Sequence, residues 1–524
     1  MTHGDRTAAT PGGIDKGRRV LALLLGLALA ACTAPPSITP LPTSNEARTA
    51  AYLQQIRDRP PYLDAFLRRM PKGGDLHSHL SGAVYAESYV RWAADDGLCI
   101  IRASLTLAKP PCHFPDQVPA IEADRDPMLY RQLIDALSMR EFLPISESGH
   151  DHFFATFSKF GAAGDNHSGD MLAEVAERAA GQSVSYLELM ASPGMGAART
   201  IGKTVGWNDD LASLRDRVMG PAMTAAVAQA RHEIDIAESA MRQRLHCGGE
   251  VARPGCSVTI RFLAQVIRTF PPEQVFAQFV LAFELAKADP RVAGLNLVAP
   301  EDNNVAVRDY DVQMRMLGFL HALSPDVRIS LHAGELTPAL VPKEALRSHI
   351  RSAVEIAGAS RIGHGTDIMG EDDASGLLAE MAKRRILVEV NLTSSDTILD
   401  VVGTRYPFEA YRGADVPLAL STDDEGVSRI DLTHEYERAT LTYGLGYADL
   451  KTLARNSLEY AFLRGESLWR TTIPYVIAEP CAGTLAGTPA PACLDLLARS
   501  EKAAAQWRLE AEFARFEAST WPAP

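Results

Sequence analysis

Eight short runs rich in aliphatic and β-branched residues recur along this chain, and their alternation with helical stretches limits the fold to a few architectures. The runs are LHSHL (76–80), VSYLELMAS (184–192), VTIRFLAQV (258–266), VAGLNLVA (292–299), VRISLHAG (327–334), RIGHGTDI (361–368), ILVEVNLT (386–393) and VPLALSTDD (416–424). Between several of them lie stretches such as PEQVFAQFVLAFELAKAD and PKEALRSHIRSAVEIAGA, with apolar residues three and four positions apart, the period of an amphipathic helix. Strand and helix units repeated eight times predict an α/β fold of the (β/α)8 TIM-barrel type, in which every strand delivers its C-terminal end to one shared mouth. A doubly wound open sheet is the competing architecture. Against it, no G-x-G-x-x-G or P-loop motif follows any early strand.

The spacing of the runs is uneven. More than a hundred residues separate His79 from the second run, so largely helical insertions are expected at about 95–180 and 195–256, with a helical C-terminal extension from about 466. The barrel domain is placed at 51–524. Ahead of it, Lys16, Arg18 and Arg19 precede VLALLLGLALAAC, an apolar stretch too short for an ordinary membrane span but suited to an export signal. Leu29 to Cys32 resemble a bacterial lipobox, which predicts a lipoprotein signal peptide at 1–31 and lipidation at Cys32. Residues 32–50, rich in Pro, Ser and Thr, read as a solvated tether. The expected location is lipid-anchored on the periplasmic side of the cell envelope, at the outer membrane because Thr33 rather than an aspartate follows the cysteine. Contact with membrane is expected through the anchor alone.

Six further cysteines fall as near neighbours, Cys99 with Cys112, Cys247 with Cys256, and Cys481 with Cys493. Short loops rich in turn formers between them are the pattern of disulfide-stapled segments in an oxidising compartment. The formal charge of -13, with no basic run interleaved with aromatics, argues against a nucleic-acid partner. Small solutes are the expected ligands, and the oligomeric state is not legible.

Chemistry gathers at the predicted strand ends. His77 and His79 are two residues apart in the first strand, so both project to one face and can share a cation. His332 ends the fifth strand in HAGE, His364 the sixth in GHGTD, and Asp423 with Asp424 the eighth in STDD. A barrel brings these ends together, and neutral imidazoles with a carboxylate suit one zinc ion with an open position for water.

The set MPKGGDLHSHLSG, SLHAGE, RIGHGTDI, LVEVNLTSS and LALSTDD resembles the adenosine deaminase family of metal-dependent amidohydrolases, and the N-terminal extension with its MPKG lead-in is nearest the exported, growth-factor-related branch. The resemblance covers roughly residues 70–465. It implies that His77, His79, His332 and Asp423 hold the zinc, that Glu335 protonates purine N1, and that His364 orients or deprotonates the water. It further implies that Asp424 contacts purine N7 and that the backbone at Ala299 approaches N3. Ser81 stands where the compact enzymes carry an aspartate near the ribose 5′-hydroxyl, Ala299 replaces a glycine, Asn391 and Leu392 replace a Cys-Pro after Glu389, and Glu425 replaces a proline.

The implied reaction is hydrolytic deamination of adenosine or 2′-deoxyadenosine, with release of ammonia. Zinc lowers the pKa of a bound water to about 7, and an acid beside the ring nitrogen supplies the proton that attack on C6 demands. Deamination of AMP, adenine or an N6-modified adenosine is the nearest alternative, and a non-catalytic purine-binding or signalling protein on the same barrel is another. The H-x-E and P-C-x-x-C pattern of the nucleic-acid deaminases is absent.

Overall fold

The computed structural model describes residues 44–483 and 489–521. The expected signal peptide, Cys32 and most of the tether lie outside the described residues. The tether ends earlier than expected: the chain becomes helical at Asn45–Ile56, where Ser44 Oγ accepts from Ala47 N and caps the first turn. Tyr52, Leu53 and Ile56 lie on the buried side of that helix. No helix among the described residues is long and apolar enough to cross a membrane.

Eight parallel strands form one sheet in chain order: β1 (Gly73–His79), β2 (Val184–Ala191), β3 (Thr259–Ile267), β4 (Val292–Val298), β5 (Arg328–Ala333), β6 (Arg361–His364), β7 (Leu387–Val390) and β8 (Leu418–Leu420). The ring closes where the chain leaving β8 pairs with β1. Asp423 N donates to His77 O at 2.8 Å, and His79 N donates to Asp423 O at 3.1 Å. The fold is therefore the (β/α)8 barrel.

Strands β6 to β8 are shorter than their sequence runs. The backbone turns left-handed at His364 (φ 66°) and at Asp423 (φ 61°), which stops strand geometry where the functional residues begin.

The intervals between strands carry the excess length. After β1 come helices Ala86–Asp95, Pro127–Ala136, Gly149–Gly164 and Ser168–Gly181, together with a three-stranded antiparallel sheet of Cys99–Ile101, Thr106–Ala108 and Gln117–Pro119. This insertion is largely helical, with one small sheet. A disulfide between Cys99 and Cys112 staples the small sheet. Helices Met195–Val205, Leu211–Val218 and Pro221–Arg244 follow β2, and the Cys247–Cys256 disulfide closes the turn back to β3.

The extension after 466 is not helical throughout. It opens with a hairpin, Trp469–Thr472 paired with Tyr475–Ile477, before helices Pro491–Arg499 and Glu501–Glu517. The Cys481–Cys493 disulfide joins the end of the hairpin to the first of these helices.

Helix Pro272–Ala288 shows why the insertion after β2 packs where it does. Val275 to Phe283 are all buried and, apart from Gln278, apolar, so these central turns have no face to give to water. A helix apolar on all sides must be covered on all sides. Gly194, which opens the insertion, lies against Leu281 of this helix, and Gly202 lies against the Glu273 backbone, so the first insertion helix supplies the outer cover.

Polar residues occupy the barrel axis. Arg361 on β6 reaches Glu188 on β2 at 2.6 Å and Glu389 on β7 at 2.6 Å. Since β2 and β6 are not neighbours, the first of these contacts crosses the barrel interior. All three side chains are buried, so the guanidinium and the two carboxylates compensate one another.

Candidate active site

His77 and His79 project from the end of β1, His332 from β5 and Asp423 from the turn after β8. His77 Nε2 lies 3.1 Å from His332 Nε2, and His79 Nε2 lies 3.1 Å from the same atom. Asp423 Oδ1 is 3.2 Å from His79 Nε2 and 3.5 Å from His77 Nε2. The opposite nitrogen of each ring faces an oxygen: His77 Nδ1 is 2.7 Å from Glu389 Oε2, His79 Nδ1 2.9 Å from Gln265 Oε1, and His332 Nδ1 2.7 Å from Asn296 Oδ1.

These oxygens accept the Nδ1 protons and leave three Nε2 lone pairs facing one point. Lone pairs at 3.1 Å cannot hydrogen-bond to each other, and a cation held between them would relieve their repulsion. Three imidazole nitrogens and a carboxylate oxygen are a donor set for zinc. Donor atoms of His77, His332, His364 and Asp423 lie within 4.8 Å of one another, and those of His79, Asp423 and Asp424 form a second group, with Asp423 common to both.

Glycines make room for this cluster. A Cβ on Gly363 would lie 2.5 Å from the His77 ring, and one on Gly82 would lie 1.5 Å from Asp424 Oδ1. Ala299 holds φ 85° without being glycine, a conformation that costs roughly 1–2 kcal/mol for an L-residue.

Glu335, His364 and Asp424 are buried, and each has a polar atom without a hydrogen-bond partner among the described residues: Glu335 Oε1, His364 Nε2 and Asp424 Oδ1. Burial, reinforced by Asp423 and Glu301, holds the Glu335 carboxyl well above the usual carboxylate range, so it is a proton donor at neutral pH. Burial drives the His364 imidazole down to about 3, which keeps it neutral. Burial also raises Asp424, with Asp423 adding to the effect over the opposing pull of His79. His364 Nδ1 lies 3.5 Å from Glu335 Oε1, and His364 Nε2 lies 3.8 Å from Asp423 Oδ2.

A cavity of about 320 Å³ opens beside these groups. Its lining includes His79, His332, Glu335, Asp423, Asp424 and Ala299, so six of the residues singled out from sequence surround one space. Phe153, Phe154 and Phe157 of helix Gly149–Gly164 supply an aromatic side. His150 Nε2 pairs with Asp302 Oδ1 at 3.0 Å, tying that helix to the segment after β4. Ser81 lies elsewhere: it lines a neighbouring cavity of about 290 Å³, with Gln265 common to both.

The supports of the site were not singled out from sequence. Besides Glu389, Gln265 and Asn296, Ser394 Oγ donates to Asp423 Oδ2 at 2.7 Å. Glu301 accepts from the Gly334 and Glu335 backbone N–H groups at 3.2 and 3.0 Å and so holds the loop that carries Glu335. Polar residues inside otherwise apolar strands, as in LAQV, LNLV and VEVN, are the signal that could have found Gln265, Asn296 and Glu389.

Residues 147–470 match the family model for adenosine deaminase. The chain belongs to the adenosine deaminase family. The matched range holds every site residue from β2 onward, while His77 and His79 precede it. Among curated family members, one adenosine deaminase of Clostridium perfringens is 29% identical over 179 residues, 33% of this chain and 48% of the relative. Another from that species is 31% identical over 143 residues, 26% of this chain and 39% of the relative. The matches thus span about half or less of the length of these relatives.

Two solved structures share the fold, each with a TM-score of 0.50 at 20% identity over 76% of this chain. They are a zinc-bound amidohydrolase from Burkholderia ambifaria, covered over 88% of its length, and the N6-methyl-AMP deaminase of Arabidopsis thaliana, covered over 94%.

Proposed function

We propose that this adenosine deaminase family member hydrolyses the 6-amino group of adenosine or 2′-deoxyadenosine, giving inosine or 2′-deoxyinosine and ammonia. The observation that carries the choice of substrate is the charge of the cavity: among the described residues no lysine or arginine lines it, while Glu335, Asp423 and Asp424 do. A nucleotide phosphate would meet carboxylates there and no cation, so an uncharged nucleoside is favoured.

His77, His79, His332 and Asp423 would hold one zinc ion per chain, which would lower the pKa of a water there to about 7. The remaining steps belong to side chains. Phe153, Phe154 and Phe157 cover the purine and exclude bulk water. Glu335 gives its proton to N1, which leaves C6 electron-poor. His364, neutral and with Nε2 unpartnered, takes the proton of the attacking water. The Asp424 carboxyl, on the cavity lining, bonds to N7, and the backbone at Ala299 meets N3. The proton held by His364 passes to the exocyclic nitrogen, the C6–N bond breaks to release ammonia, and the proton of the new C6 hydroxyl goes to Glu335 as the carbonyl forms. Ser81 belongs to the sugar end of the substrate site, in the adjoining cavity that Gln265 shares.

Ammonia release from adenosine, 2′-deoxyadenosine, adenine, AMP and N6-methyladenosine tests the reading. Turnover of the two nucleosides with little of AMP is expected. Preference for AMP would contradict it, and adenosine binding without ammonia release by zinc-loaded protein would favour the binding-protein alternative. Export with a lipid anchor at Cys32 is a companion proposal, in keeping with three disulfides. Cys32→Ser should free the protein from the membrane fraction, and retained attachment would refute the anchor.

A further inference from the structure

The barrel holds a second, larger cavity at the end opposite the histidines. Its volume is about 660 Å³, and it is bounded by the first residues of β4, β5 and β6, by Arg384 and Arg385 ahead of β7, by residues 459–465 and by Lys502 of the C-terminal extension. Its chemistry is the reverse of the mouth.

Arg328, Arg384 and Arg464 are exposed on its walls, and their guanidinium groups make no hydrogen bond or ion pair with any described residue. Arg385 donates to Thr472 Oγ1 at 2.9 Å, and Lys502 Nζ donates to the Glu459 carbonyl at 2.6 Å, so neither is neutralised by a carboxylate through those bonds. The exceptions are Lys287, paired with Glu284 at 2.6 Å, and the buried Arg361, paired with Glu188 and Glu389 at 2.6 Å each.

The acids on the lining offer little compensation. They are Asp326 and Glu459, and the Glu459 carboxylate already accepts from Ser467 Oγ at 2.6 Å and Gln506 Nε2 at 2.7 Å. Burial lowers the pKa of Lys502; Glu459 opposes the shift, and Arg328 and Arg361 add to it through repulsion. A concave group of like charges in a chain of net charge -13 is therefore a local excess that an anion would relieve.

We propose that this cavity binds a small organic phosphate, gripped by Arg328, Arg384 and Arg464. Guanidinium forks match phosphate oxygens, and three from separate elements can surround a dianion. The volume is too large for phosphate alone and leaves room for a sugar or nucleoside beside Tyr460. A recessed site favours a soluble phosphate monoester over the same group on a lipid surface. The site is independent of the deaminase reading, because no residue that grips the phosphate belongs to the metal cluster or its cavity.

Isothermal titration of the zinc-loaded chain with ribose 5-phosphate, at fixed ionic strength, tests this directly. Saturable binding of one equivalent is expected, with none for ribose. The Arg328→Ala/Arg464→Ala double variant should bind about tenfold more weakly or worse, the loss of charge-assisted bonds, with unchanged zinc content and circular dichroism. Arg384→Glu, at an exposed helix end, is the second variant should the double one misfold, and it should weaken binding at least as much. Absence of saturable heat, equal affinity in a folded variant, or binding confined to phosphatidic acid vesicles would overturn the proposal.

Discussion

At the C-terminal ends of its strands the barrel gathers imidazoles and carboxylates around about 320 Å³, whereas at the N-terminal ends it gathers guanidinium groups around about 660 Å³. The mouth keeps its polar groups buried and several of their atoms unpartnered; the basic end keeps Arg328, Arg384 and Arg464 at the surface. Buried, unpartnered groups mark where the protein has accepted a stability cost for chemistry. Exposed charges carry no such cost and suit reversible binding of a solute. One barrel can hold both because its axis is polar: Arg361 lies on the lining of the basic cavity and 2.6 Å from Glu389 Oε1, while Glu389 Oε2 holds His77 Nδ1 at 2.7 Å.

The largest effect is expected from breaking the mouth. Glu335→Gln removes the proton but keeps the shape, so deamination should fall by ~100-fold or more, the range for losing general acid catalysis, while zinc content stays the same. Steady-state ammonia release with metal analysis checks both, and unimpaired turnover would remove Glu335 from its role.

Cutting the link between the two ends should cost less. Glu389→Gln weakens the acceptor of the His77 Nδ1 proton and should lower zinc affinity about 10–100-fold, with activity regained at saturating zinc. Competition with a chelator measures the change. Equal affinity would show that Glu389 serves the Arg361 pair alone.

The smallest effect concerns the flank of the mouth. Burial raises the Glu371 carboxyl from 4.5 to about 7, while its Oε1 accepts from Ile350 N at 2.6 Å. A raised folded-state pKa means that the group's contribution is whole below pH 4.5 and is lost as pH rises through 7. The stability of the natural protein relative to Glu371→Gln should therefore decline from pH 4.5 to 7 and level off above. Urea unfolding across that range shows the slope, and a flat difference would place Glu371 in water.

The mouth was legible in the sequence for a geometric reason. His77 with His79, HAGE, GHGTD and STDD each stand at the end of an apolar run, and a closed parallel barrel has one place for such ends. Residues that act by tertiary approach were less accessible. Phe153, Phe154 and Phe157 belong to an insertion helix whose periodicity marks a buried face but not what it covers. Arg328, Arg384 and Arg464 share no motif and meet only because the starts of strands also converge. The small sheet around Cys99 and the hairpin after Trp469 escaped notice because their strands are three or four residues long, too short for a period to show.

Anomalous diffraction at the zinc edge from crystals of the metal-loaded protein tests the central claim most directly. One peak is expected about 2.0–2.2 Å from the Nε2 atoms of His77, His79 and His332 and from an Asp423 oxygen, the distances of zinc ligation. A mouth without a peak, or a single ion held by other residues, would contradict it.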